Sequence, residues 1–250
     1  MTSPTTQTPR FRTEVRTTAT LALPLVLGHV STGLIGFVDN VIAGHHSTQT
    51  LAAVTIGTAL LWLPMMVPIG TLIALTASVS QLNGAGRRDE IGPVFRQALW
   101  LSLGLGALMF AFLSLAPYML GPFGIAADII PGATGFLHGI RWGVPALTLF
   151  FCMRYLSEGM HWTLPTMLLG FGGLLLLAPL GYAFAFGRWG MPEMGAAGLG
   201  FASAIMMWAQ AVAFAVYLWN SKRFAELKLF AHFDPPRAAE IAQLLRTGLP

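Results

Sequence analysis

The sequence predicts an all-α integral membrane protein built as a bundle of six transmembrane helices. Hydrophobic residues make up 55% of the 250-residue chain and charged residues only 10%, whereas a soluble domain carries about 25% charged residues. The mean hydropathy is +0.67, and the apolar residues form runs of about 20, long enough to cross a bilayer. The runs lack the alternation of barrel strands, so we expect helices, which satisfy their own backbone polar groups in lipid.

Six apolar runs define the predicted spans. The first follows a polar segment, residues 1–18, and is too long for the core of a cleaved signal peptide. Prolines inside spans, together with the glycine-rich stretches "GFGG" and "GAAGLG", are typical of the bent or broken helices of transporters. Most of the glycines also fit ordinary helix packing through small residues. The spans are residues 19–43, 51–80, 94–117, 133–156, 165–186 and 195–219.

The basic residues predict the orientation in the membrane. Arginines and lysines cluster before the first span, after the second and after the sixth, and Arg154 closes the fourth span on the same side. The opposite side has only Arg188 and Arg141, which lies in the mouth of the fourth span. By the positive-inside rule both ends face the cytoplasm of a bacterial inner membrane. The net charge of +4 reflects this bias and requires no nucleic-acid partner.

Asp39 is the acidic residue that the first span carries near its end, in "IGFVDNVIAGHHS". At helical spacing it shares one face with His29, Thr32 and Gly36. An aspartate within a span is costly and usually faces a bundle interior, where it binds protons or cations. The alternative is that Asp39 ends the helix and faces the headgroups, but the apolar residues 41–43 follow it.

Other candidate sites are weaker. The single cysteine, Cys152, excludes an internal disulfide and favours a small apolar packing role. The adjacent His45 and His46 are predicted as plain loop residues, because no further metal ligands accompany them. Neither a phosphate-binding loop nor a set of nucleophile, base and orienting group is visible, so we expect no enzyme activity and no cofactor.

The polar tail, residues 220–250, is predicted to be a cytoplasmic linker. Its end, "EIAQLLRTGLP" at 240–250, resembles "EVRTTATLALP" at 14–24, ahead of the first span. The likeness suggests that a second repeat begins here. We therefore expect the six-helix lobe, residues 19–219, to need a missing C-terminal lobe, and the 250 residues to be a fragment that does not transport alone.

Several motifs resemble, in order and spacing, those of the multidrug and toxic compound extrusion family, in its NorM-like bacterial branch. The likeness covers about residues 18–250 and includes "GFVDNVIAG", "LAAVTIGTALLWLP", "LIALTASVSQLNGAGRR", "WGVPALTLFF", "SEGMHWTLPTMLLGFGGLLL" and "FGRWGMPEMGAAGLGFASA". The resemblance implies twelve spans in two six-helix lobes. It also implies export of small cationic or aromatic drugs in exchange for protons or sodium ions.

The resemblance also implies roles for single residues. Asp39 matches the aspartate that binds the coupling ion, and Ser203 matches a threonine of the same site. Leu177 and Gly181 stand where the family usually has Asn or Asp. Because sodium needs several oxygen ligands to replace its water and a proton needs only the carboxylate, proton coupling is favoured. Met206, with Met207 and Trp208, is a candidate to line the drug path, with packing or lipid contact as the alternative.

Two other functions stay open from the sequence. Related two-lobed transporters move lipids or polymers, but such a flippase needs a wide basic cavity, and here only Arg141 lies within a span. A degenerate half-protein without transport is the other alternative.

Overall fold

The computed structural model describes residues 11–230, 234–238, 240–242 and 245, and within these ranges it contains helices and no strand. The helices are α1 (Phe11–His46), α2 (Thr48–Leu72), α3 (Ala74–Gly84), α4 (Ile91–Leu115), α5 (Pro117–Leu120), α6 (Ile130–Ile140), α7 (Val144–Gly159), α8 (Leu164–Phe186), α9 (Gly195–Asn220) and α10 (Lys222–Ala225), with a 3₁₀ turn at Arg88–Glu90. The predicted all-α class is confirmed.

Five stretches are long and apolar enough to cross a membrane, and a sixth is broken in the middle. The five are residues 26–46, 48–84, 88–115, 164–186 and 195–220. The span predicted at 133–156 is the pair α6 and α7, which meet at an angle of 51°. Pro145 lacks the N–H that would continue the helix, and the carbonyl of Arg141 accepts instead from Val144 at 3.3 Å.

The connection between α1 and α2 is shorter than predicted. Helix α1 starts at Phe11 and continues through His46, so the only residue outside both helices is Ser47. The Ser47 hydroxyl accepts from the backbone N–H of Thr50 at 3.0 Å, which caps α2 and lets it begin at once. The prediction that His45 and His46 lie in a loop is therefore wrong, because they form the last turn of α1. Residues 1–10 lie outside the described part.

The helices pack through small residues as well as large apolar ones. Helix α8 lies between α1 and α9, α9 also packs on α6, and α4 packs on α7. Gly200 of α9 meets the carbonyl oxygen of Phe136, and a Cβ on Gly139 of α6 would stand 2.7 Å from the backbone nitrogen of Phe201. These positions let the two backbones approach closely, which confirms the packing role expected for "GAAGLG".

The segment after α9 folds back on the bundle. Phe224, Leu227 and Leu229 are buried against the core. Further along, Asp234 forms an ion pair with Arg96 of α4, with 2.6 Å between Oδ2 and Nε. The repeat expected at 240–250 lies mostly outside the described residues.

Candidate functional site

Asp39 lies inside the lobe, in the C-terminal half of the apolar part of α1, residues 26–46. Its side chain is buried, and the residue is 4% exposed. The Ser203 hydroxyl of α9 donates to Asp39 Oδ2 at 3.1 Å, and Asp39 Oδ1 is buried with no hydrogen-bond partner among the described residues. The structure therefore brings together the two residues expected to bind the coupling ion and leaves one carboxylate oxygen unsatisfied.

The wall facing this contact from α8 is apolar. Leu177 is fully buried. Gly181 packs so closely that a Cβ there would stand 3.1 Å from Leu199 Cδ2 and 3.2 Å from Ile42 Cδ1. Ile42 lies one turn from Asp39, and Leu199 one turn from Ser203. The positions where the resembling family carries Asn or Asp thus supply packing here and no side-chain oxygen.

A second polar group lies further along α1, in a cavity of about 240 Å³ between α1, α2 and α7. His29, Thr32 and Gly36, all predicted to share the face of Asp39, line this cavity together. Asp39 itself is not among its lining residues. The predicted polar face of α1 is therefore divided between two places, the Asp39–Ser203 contact and the cavity.

Arg154 joins this second group, although the sequence indicates only a basic residue that closes a span. The residue is 1% exposed, and its Nε donates to Glu158 Oε1 at 2.7 Å. Its Nη2 lies 2.9 Å from His29 Nε2, and its Nη1 lies 3.5 Å from Thr32 Oγ1. The available signal was the spacing of Arg154 and Glu158, four residues apart on one apolar helix, which is that of an ion pair.

The remaining candidates lie elsewhere. Met206 is 1% exposed and part of the hydrophobic core, as is Met207, whereas Trp208 is exposed and donates to the carbonyl of Trp142 at 2.9 Å. Met206 is not among the residues that line the cavity described above. Arg141 lies at the break between α6 and α7, where its Nη1 donates to Ser114 Oγ at 3.3 Å.

The family model described as MatE matches residues 24–183 of the chain. Over 243 residues, the chain is 76% identical to the "Probable multidrug resistance protein NorM" of Xanthomonas campestris pv. campestris. This match covers 97% of the chain and 53% of the relative. Multidrug resistance protein PmpM of Pseudomonas aeruginosa is 39% identical over 243 residues, which is 96% of the chain and 51% of the relative.

Solved structures share the fold. The crystal structure of the eukaryotic MATE transporter AtDTX14 matches with a TM-score of 0.81 at 16% identity, covering 96% of the chain and 52% of that protein. The chain thus spans about half the length of the curated relatives and the solved transporter that it matches.

Proposed function

Because the chain belongs to the MatE family, we propose that its six-helix lobe is half of a membrane antiporter that exports cationic and aromatic drugs. The relatives are named for multidrug resistance, and the fold is one lobe of a two-lobed transporter. The observation that carries the proposal is Asp39, buried within a span with Oδ1 unpartnered among the described residues. Such a group is an expected site of ion binding in a transporter.

The unsatisfied oxygen explains how Asp39 would couple transport to an ion. An ionised carboxylate that accepts one hydrogen bond and otherwise faces apolar side chains is an uncompensated buried charge. Burying such a charge is unfavourable in free energy. Binding of a cation removes that charge, and its release restores it. Two states of the lobe that differ in access to Asp39 would then bind the ion on one side of the membrane and release it on the other.

The surroundings of Asp39 favour a proton over sodium. Replacing the water shell of a metal cation takes several oxygen ligands, as in the carbonyl rings of ion channels. Ser203 supplies one hydroxyl oxygen, whereas Leu177 and Gly181 supply packing. A proton needs only the carboxylate oxygen itself, so we assign proton coupling.

The basic end of the lobe would face the cytoplasm of a bacterial inner membrane. Arg87, Arg88 and Arg96 lie at the start of α4 on the same end as the segment after α9. The positive-inside rule then places both ends of the chain on the cytoplasmic side. Alternating access requires a second lobe, because one repeat rocks against the other around a central site, and the isolated lobe should therefore bind substrate without exchanging it.

Ethidium efflux tests the proposal. Residues 1–250 are joined to the second half of the Xanthomonas campestris relative and expressed in bacteria that lack their own drug exporters. We expect efflux by this chimera and loss of efflux in Asp39→Asn. The control is Asp128→Asn, which changes an exposed acid and should leave efflux intact.

Two outcomes would contradict the proposal. One is a chimera that inserts in the membrane and exports nothing while the relative itself is active. The other is unchanged efflux in Asp39→Asn, which would remove the assigned coupling residue.

A further inference from the structure

The segment that follows α9 forms a cavity at the basic end of the lobe. The cavity has a volume of about 270 Å³ and lies between the last turn of α9 and the turn after α10. Among the described residues, Lys228 is the only charged residue of its lining. The apolar lining includes Leu218, Trp219, Phe224, Leu229 and Phe230. Such a cavity can hold an apolar chain beside one anionic group.

Buried side chains hold the walls of this cavity in place. Leu218, Phe224 and Leu229 are packed into the hydrophobic core. Trp219 and Phe230 stay exposed at the rim, and their stacked rings have 5.5 Å between centroids. The cavity is therefore preformed by packing, with an aromatic rim that is open to the surroundings.

The backbone of Lys228 is held at the rim by α4. Its φ is +48°, in the left-handed region that residues with a Cβ rarely adopt. Arg96 Nη1 donates to the Lys228 carbonyl at 3.0 Å. Gly92 lets the turn approach α4, because a Cβ at that position would overlap the carbonyl oxygen of Leu227. Strained backbone that the surrounding structure maintains is common at binding sites.

The ammonium of Lys228 has no anionic partner among the described residues. The nearest acid along the chain, Glu226, pairs with Arg88 at 3.8 Å. Asp234, the next acid, pairs with Arg96 at 2.6 Å. Because these two carboxylates have other partners, the Lys228 cation is free to bind an anion at the rim of the cavity.

The cavity lies where α9 leaves the apolar part of the membrane. Trp219 is the second-last residue of α9, and tryptophan is enriched at the level of the lipid headgroups. Large apolar residues three and four positions apart form an exposed stripe along α9 that ends at the cavity. The stripe consists of Phe201, Ile205, Trp208, Val212, Val216 and Trp219. An acyl chain along this stripe would place its headgroup beside Lys228.

We propose that this cavity binds one anionic phospholipid. The ammonium of Lys228 pairs with the lipid phosphate, as lysine commonly does, and the start of an acyl chain lies against Trp219 and Phe230. In a zwitterionic lipid the phosphate already has its own cation, so a single lysine selects a headgroup of net negative charge. The inference goes beyond the proposed function, since it involves neither drug export nor Asp39.

Native mass spectrometry of matched lipids tests the site. The 250-residue chain in a non-ionic detergent is titrated with phosphatidylglycerol or with phosphatidylcholine of the same acyl chains, and each bound lipid is counted. We expect the first phosphatidylglycerol to bind about fivefold more tightly than phosphatidylcholine, the gain of one basic residue near an anionic headgroup. Glycerol 3-phosphate, which carries the same phosphate without acyl chains, should bind far more weakly.

Three variants locate the preference. Lys228→Gln should bind the two lipids equally. Lys222→Gln removes a charge from the same segment but not from the lining of the cavity, and it should keep the fivefold preference. Trp219→Ala removes part of the apolar wall and should weaken the binding of both lipids while the preference remains.

Equal binding of the two lipids by the unaltered chain would overturn the inference, whether or not any variant folds. So would a preference that survives in Lys228→Gln, or one that Lys222→Gln loses to the same extent, because the charge of the whole segment would then attract the lipid. Binding of glycerol 3-phosphate as tight as that of the lipid would show a site for soluble anions and would also contradict the proposal.

Discussion

At the scale of single residues, the Asp39–Ser203 contact determines how easily the carboxylate loses its proton. The Ser203 hydroxyl donates to Oδ2, whereas Oδ1 has no hydrogen-bond partner among the described residues. Hydrogen bonds to charged groups contribute about 1.5–3 kcal/mol, and about 1.4 kcal/mol corresponds to one pH unit. Changes at Ser203 should therefore move the pH dependence of transport.

Ser203→Ala in the chimera should shift the pH at which efflux is half-maximal by about one unit. The variant removes the hydrogen bond that the Asp39 carboxylate accepts from Ser203. Ethidium efflux measured across a pH series gives the midpoint. Ser31→Ala is the control, because Ser31 is equally buried but donates to the carbonyl of Gly28. An unchanged midpoint in Ser203→Ala would show that the contact has no influence on coupling.

Gly181 is the second residue with a specific consequence, because a side chain there would require the tips of Leu199 and Ile42 to shift. Gly181→Asn should lower the free energy of unfolding by about 1–3 kcal/mol, the usual cost of overpacking. Gly172→Asn, on the same helix with nothing within 4 Å of its Cβ position, is the control. Thermal unfolding in detergent measures both variants. Equal melting temperatures for the two would mean that the α8 wall is loosely packed.

At the scale of helices, the length of each apolar run was sufficient to predict the spans but not their breaks. The bend at residues 141–143 depends on Pro145, but proline also lies inside continuous helices, as at Pro68 within α2. Likewise, the serine that caps α2 is one of several polar residues in "GHHSTQT". Its capping role depends on a backbone conformation that the amino-acid sequence of this stretch does not specify.

The same limit applies to the candidate site. Asp39 could be found from sequence because an acid in an apolar run is unusual, and Ser203 followed from the family resemblance. From the sequence, Arg154 is only a basic residue at the end of a span, which indicates orientation. Its inward direction depends on how α7 packs between α3, α4 and α9, which no single helix pattern reveals.

Helix α4 also holds the segment that follows α9. The Gln97 side chain donates to the carbonyl of Pro235 at 3.0 Å and accepts from the N–H of Arg237 at 2.8 Å. Trp100 donates to the carbonyl of Asp234 at 2.9 Å. Together with the Arg96–Asp234 ion pair, these bonds attach residues 234–237 to α4.

Gln97→Leu should release this segment while leaving the bundle folded. The carbonyl of Pro235 and the N–H of Arg237 lose their hydrogen-bond partner. Each unsatisfied group destabilises the attached segment by about 1–3 kcal/mol where water cannot replace the bond. We expect cleavage by trypsin after Arg237 to become about tenfold faster, as measured by limited proteolysis in detergent. The exposed Gln81 on α3 provides the control Gln81→Leu. Equal cleavage rates in Gln97→Leu and the unaltered chain would contradict the attachment.

At the scale of the whole molecule, the proposed orientation can be tested with single cysteines. Cys152 is fully buried and should not react with a membrane-impermeant maleimide. Asp89→Cys places a thiol at the basic end, and Met191→Cys places one in the exposed connection between α8 and α9. We expect Met191→Cys to react in intact spheroplasts and Asp89→Cys only after the membrane is opened. The reverse pattern would invert the proposed topology.

Proton movement in liposomes tests the central claim, that Asp39 couples drug export to protons. The chimera is reconstituted in sodium-free vesicles with a pH-sensitive dye inside, and ethidium is added outside. We predict drug-dependent proton flux in the unaltered chimera, no flux in Asp39→Asn, normal flux in Asp128→Asn, and no stimulation by sodium. Drug exchange that requires sodium, or proton flux that persists in Asp39→Asn, would contradict the account.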